Sequence, residues 1–271
     1  MSVMKRSRVL PVLLAMLVPG ASAMAASPAS GSGGSGNSMG HSMGSVAEQY
    51  LFSAANAERV QRGLAPLHWD AKLYEAAQRH AGEMVARESI SHQYPGEEDL
   101  ANRGHVAGAR FTVISENVAE AWSAPEIHEA WMESPGHRAN LLDPRVDSVG
   151  ISVERRDGQL YAVEDFDRSV QALSYSQQES EIAELLRTEA RLQLLPDAED
   201  ARRTCAMDTG FAGSRRPWFV MRFTAGSLDR LPQVLKAKLA TGKYHFAAVG
   251  ACGVRHSGPF TAYDIAVLLF P

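Results

Sequence analysis

Between residues 46 and 87 the apolar positions recur every three or four residues, the spacing of one buried helical face. Apolar and small residues at 47, 50, 51, 54 and 55 predict a helix that starts at Val46 and ends at Gly63. Asp70 is placed to cap the next helix, where Leu73, Ala76, Ala77, His80, Ala81 and Met84 form the clearest stripe in the chain. His80 on that stripe reads as a packed, hydrogen-bonded core histidine. The periodicity stops at residues 89–96, where Pro95-Gly96 marks a turn, so His92 is expected on a loop. A short helix over residues 98–106 and a strand over 111–119 follow. Along that strand Ile114, Glu116 and Val118 share one face, and a carboxylate between Ile and Val needs a partner. Ser123-Ala124-Pro125-Glu126 caps a further helix with Ile127, Ala130 and Trp131 on its buried face. It is expected to end by Pro135-Gly136, with His137 just beyond. Val149, Ile151 and Val153 alternate as a strand, Asp157-Gly158 supplies a hairpin turn, and residues 160–166 return.

Past residue 170 the pattern predicts helix (179–195), strand (218–223), helix (228–239), strand (244–251) and strand (263–270), a small α+β domain. The other end of the chain has no such pattern. Lys5, Arg6 and Arg8, the apolar run 9–18 and the small residues 21–25 have the composition of an export signal, and Ser and Gly dominate 27–45. The expected organisation is a signal peptide at 1–25, a linker at 26–45, one domain at 46–170 and a second at 171–271.

With 271 residues, 45% of them hydrophobic, the chain can bury ordinary cores. Its net charge of -4 is unevenly spread. Residues 46–170 hold 12 Lys and Arg against 21 Asp and Glu, whereas 171–271 hold 12 against 10. Neither half has the basic stripe that nucleic-acid binding demands. The apolar run at 9–18 is too short to span a bilayer, so no integral membrane segment is expected after signal cleavage. Two cysteines, Cys205 and Cys252, are expected to pair in an oxidising compartment: periplasm, cell surface or extracellular medium. Arg202-Arg203 and Arg215-Arg216 stand out as basic pairs on the second domain.

There is no Gly-rich loop before a helix, no Cys-x-x-Cys pair and no His-Glu-x-x-His helix, which removes phosphate cradles, zinc ribbons and the common zinc proteases. What remains is His92, Glu116 and His137 from three separate segments. Two imidazoles and a carboxylate are a donor set for a divalent metal, zinc favoured.

The words around these residues carry a resemblance. Asn56-x-x-Arg59-x-x-x-Gly63-Leu64-x-Pro66, His80-Ala81, Ser91-His92, Glu116-Asn117-Val118-Ala119, and Trp131 through Pro135-Gly136-His137-Arg138-Ala139-Asn140 follow in one order that resembles the CAP superfamily. The resemblance implies an α+β fold, a three-layer α-β-α sandwich, for residues 46–170. It also implies a cleft lined by two histidines and two acids, with His92, Glu116 and His137 in three of the places. The fourth acid falls on Ser134, and Glu97 or Glu98 could approach instead; Asn117 is expected to line the same cleft. The function implied is an exported binding module for a surface polymer, lipid or protein, with a cleft that holds a divalent metal. The alternative is a metal-dependent hydrolase with Glu116 as general base. A third reading makes the set a stabilising network and leaves function to the second domain.

Overall fold

The computed structural model describes residues 8–9, 44–196, 198–253 and 258–271. The expected signal peptide and linker, apart from Arg8–Val9 and Gly44-Ser45, lie outside the described residues. The chain divides into two compact units, one ending at Ser169 and the other formed by Val170–Pro271 with Arg110–Thr112.

The first unit contains β1 (Arg8–Val9), α1 (Val46–Gln61), β2 (His68–Trp69), α2 (Ala71–Arg87), α3 (Leu100–Ala107), β3 (Phe111–Ala121), α4 (Ala124–Glu133), α5 (Pro135–Leu141), β4 (Ser148–Arg156) and β5 (Gln159–Ser169). Its sheet runs β1-β3-β5-β4-β2. β4 and β5 form the expected hairpin, in which Gly150 stands opposite Asp165. The two-residue period splits the sheet side chains between two helical layers. Ala77, Ala81 and Met84 of α2 pack with Val118, Tyr161 and Val163 on one face. Leu51 and Ala55 of α1 and Ile127 and Trp131 of α4 pack with Val149, Ile151, Leu160 and Phe166 on the other. This is the three-layer sandwich.

The sequence makes these joints locally. Ser45 accepts from the Glu48 amide, and the Glu48 carboxylate accepts in return from the Ser45 amide. The same carboxylate accepts from Val153 of β4 at 3.0 Å, which fastens α1 to the sheet. Asn56 exchanges two hydrogen bonds with the backbone of Leu67. Buried Arg59 donates to the carbonyls of Ala65, Leu141, Asp143 and Val146. Both residues are loop fasteners, and satisfied backbone carbonyls repay the burial of a guanidinium.

Two expected boundaries move. The third helix begins at Leu100, because Asp99 is the residue that caps it. The chain also does not leave helical geometry at Pro135: proline suits a first helical turn, and α5 restarts there, so His137 lies inside a short helix rather than beyond one.

The second unit contains α6 (Tyr175–Ala190), β6 (Gln193–Leu194), α7 (Ala198–Ala206), β7 (Phe219–Ala225), α8 (Gln233–Leu239), β8 (Phe246–Cys252) and β9 (Tyr263–Phe270). Its sheet runs β6-β8-β9-β7. The helix expected to reach residue 195 stops at Ala190, where Arg191 turns left-handed and β6 begins. α7 has no sequence forecast, since its buried face is only Ala201, Thr204 and Cys205. Pro232 limits α8 to a start at Gln233. The disulfide Cys205–Cys252 ties α7 to the end of β8.

Candidate functional site

The loop between α2 and α3 is held by its own side chains and by α2 beneath it. The Tyr94 hydroxyl donates to Ser89 O at 2.6 Å, and the Tyr94 amide donates to Glu97 Oε2 at 3.0 Å. His80, fully buried on α2, reaches Glu97 Oε1 through Nδ1 at 2.6 Å and Ser91 O through Nε2 at 2.7 Å. An acceptor therefore faces each ring nitrogen.

Below the loop, Glu116 projects from β3 and is fully buried. Its Oε1 accepts from His92 Nδ1 at 2.8 Å, while its Oε2 is ion-paired with Arg103 of α3. Arg103 also donates to His92 O at 3.0 Å and Glu98 O at 3.3 Å, so one guanidinium holds both the strand carboxylate and the loop. Burial opposes the Arg103 charge, yet Glu116, Asp165 and Glu97 raise its pKa above the ordinary value. Burial likewise opposes the Glu116 charge, and Arg103 foremost, then the His92 hydrogen bond, holds the carboxyl below its usual range.

Asp165 lies beside Glu116 from β5, buried, with no hydrogen-bonding donor on either oxygen among the described residues. Burial, then the neighbouring Glu116 charge, pushes its pKa far up.

His137 is fully buried on α5, its Nδ1 2.8 Å from Ser134 Oγ and its Nε2 without a partner among the described residues. Burial, then the nearby His92, depresses its pKa to about 4, leaving a neutral ring at neutral pH. Asn117 faces the opposite side of the sheet from Glu116. It donates to His137 O at 3.2 Å and Glu164 Oε2 at 3.3 Å and accepts from Asn140 at 3.1 Å. Asn140 donates in turn to Glu116 O at 3.0 Å.

His92, Glu116 and, through His80, Glu97 thus meet in one cluster; His137 and Ser134 pair beside it. The Glu98 side chain is exposed, and only its carbonyl takes part. The expected divalent metal is not supported: among the described residues, no group of three or more His, Cys, Asp or Glu is placed to hold an ion. The physical reason is Arg103. A guanidinium already neutralises Glu116, and the other carboxylate oxygen is taken by His92, so the donor set offers a cation no free charge. The sequence reading passed over Arg103, although it shares a helical face with Leu100 and Ala107, all three buried. It also passed over Asp165, which alternates with Val163 and Tyr161 on a buried strand.

The family described as CAP: Cysteine-rich secretory protein family matches residues 52–166. The chain carries a CAP domain over these residues. Its CAP domain is 32% identical over 108 residues to the uncharacterized protein YkwD of Bacillus subtilis (strain 168), covering 40% of this chain and 42% of that protein. It is also 32% identical over 115 residues to the uncharacterized membrane protein YlbC of the same strain, covering 41% and 32%. The chain thus spans less than half the length of these two relatives. Among solved structures, it is similar to an outer surface protein from Borrelia burgdorferi, with 22% identity, a TM-score of 0.43, and coverage of 45% of this chain and 92% of that one. It is also similar to an extracellular protein containing a SCP domain from Bacillus anthracis str. Ames, with 27% identity, a TM-score of 0.41, and coverage of 45% and 40%.

Proposed function

We propose that the protein is an exported binding module whose buried His–Glu–Arg cluster shapes and stiffens the surface of the CAP domain without turning over a substrate. The composition of residues 1–25 supports export, and among the described residues no helix is long and apolar enough to cross a membrane. The single observation that carries the binding reading is the occupancy of Glu116: His92 takes one oxygen and Arg103 the other. A general base needs a free lone pair aimed at water and a pKa near the working pH. Fully buried Glu116 turns no lone pair to solvent, and its carboxyl is held below the usual range. The cluster's bonds instead run to the backbone of the loop that carries His92, which suits a scaffold beneath a recognition surface. The ligand class this supports is a surface polymer, a lipid or another protein.

The test pairs stability with turnover. Glu116→Gln strands the buried Arg103 charge and is expected to cost about 3–5 kcal/mol in denaturant unfolding. A panel of peptide, ester and glycan substrates is expected to show no turnover by the parent protein. Hydrolysis by the parent that disappears in Glu116→Gln, with the variant still folded, would replace the binding reading with a catalytic one.

A further inference from the structure

The two basic pairs of the second unit have different fates. Arg202 forms a two-point ion pair with Glu179, at 2.5 and 2.6 Å, and Arg203 is paired with Asp200. Arg215 and Arg216 are exposed and, among the described residues, meet no carboxylate. Arg215 instead lies over the rings of Phe246 and Phe270, at 5.3 and 4.7 Å from their centroids. Strand register puts these rings at one end of the sheet, where Phe246 faces Phe270 and Phe219 faces Leu269. On the sheet's other face at the same end, Lys238 Nζ sits 5.3 Å from the Phe219 ring, which neighbours Tyr244. Lys243 is exposed just before Tyr244. Trp218, whose amide donates to Leu269 O at this same sheet end, is 64% exposed.

Residues 214–228, 236–252 and 265–271 contain no Asp or Glu, so the tip is cationic throughout. Two acids close to these segments are already paired: Asp200, beside Gly213, with Arg203, and Glu189 with Lys236.

We infer that this tip, Arg215, Arg216, Lys238 and Lys243 around Trp218, docks the second unit on an anionic lipid surface. The cations flank the sheet end from both faces. An exposed indole beside these cations suits a plane of headgroups. Trp is the residue that settles at the headgroup level, and lysines and arginines near an anionic bilayer add to one another. The inference does not depend on how the CAP cluster works.

The experiment is flotation of the chain from residue 26 onward with vesicles of phosphatidylglycerol or of phosphatidylcholine. The start at 26 removes the apolar run 9–18 as a lipid binder. Binding to phosphatidylglycerol vesicles alone is expected, weakening as salt is raised. Arg215→Gln with Arg216→Gln should lower the partition coefficient about 25-fold, at about fivefold per cation. Arg62→Gln with Arg87→Gln, an equal charge change on the CAP domain, should leave it unchanged. The fluorescence blue shift on binding should vanish in Trp218→Phe. Equal binding to both vesicle types, an equal loss in the CAP-domain pair, or retention on soluble dextran sulfate without vesicle binding would overturn the inference.

Discussion

Glu164, Asp165 and Asp167 are consecutive or near-consecutive carboxyl groups of β5, all buried, and they set how the CAP domain responds to pH. Burial, offset in part by the Asn117 hydrogen bond, raises Glu164 to about 8; burial, then Asp70 and Asp147, raises Asp167 to about 8. A group that binds its proton more tightly when folded favours the folded state at low pH and loses that contribution as pH climbs toward the folded value. His137 acts the other way: its pKa falls from 6.5 to about 4, so its contribution is whole above 6.5 and shrinks below. The unfolding free energy is therefore expected to decline from about pH 5 to pH 8, more steeply above 6.5, where His137 no longer opposes the decline. Denaturant melts at stepped pH values check this, and Glu164→Gln with Asp167→Asn should flatten the slope. A stability that stays flat or rises between pH 6.5 and 8 would show that burial does not hold these carboxyls protonated. Residues of this kind were partly legible in the sequence. Glu116 announced itself as a charge where the strand pattern wanted an apolar side chain. Its real partner did not, because nothing in the local pattern says that a helix residue such as Arg103 will turn inward onto that strand.

Helices and strands were legible where an apolar stripe was strong, as in α2 and the β4–β5 hairpin, and illegible where small residues carried the packing. α7 is the clearest case. It can lie close on β8 because Gly250 has no side chain, a Cβ there overlapping the backbone of Ala201 and Arg202. That closeness leaves the helix no need of large apolar residues. Gly150 does the same for α2 on β4, where a Cβ would overlap the backbone of Leu73 and Tyr74. Gly150→Ala is expected to lift α2 and destabilise the CAP domain by about 1–3 kcal/mol, the usual range for overpacking. Gly82→Ala, in exposed α2 surface with nothing near its added Cβ, should stabilise by up to about 1 kcal/mol. Thermal melts of the two variants should move in opposite directions; a neutral Gly150→Ala would mean that the helix does not depend on this approach.

At the scale of the whole molecule, a CAP domain of residues 52–166 is followed by a second unit that the family match does not cover. The order of the CAP words in the sequence was enough to place the sandwich, since Asn56 and Arg59 fasten its loops and His92, Glu116 and His137 meet at or beside one cluster. The chemistry was not legible from those words, because the same residues serve a metal or a salt bridge according to whether a cation such as Arg103 fills the gap. In this chain Arg103 fills it. Elemental analysis of the purified protein, combined with unfolding midpoints in the presence and absence of a chelator, tests this most directly. Metal far below one equivalent and an unchanged midpoint are expected; one equivalent of a divalent metal, lost in both His92→Ala and His137→Ala, would mean that a metal and not Arg103 occupies the gap.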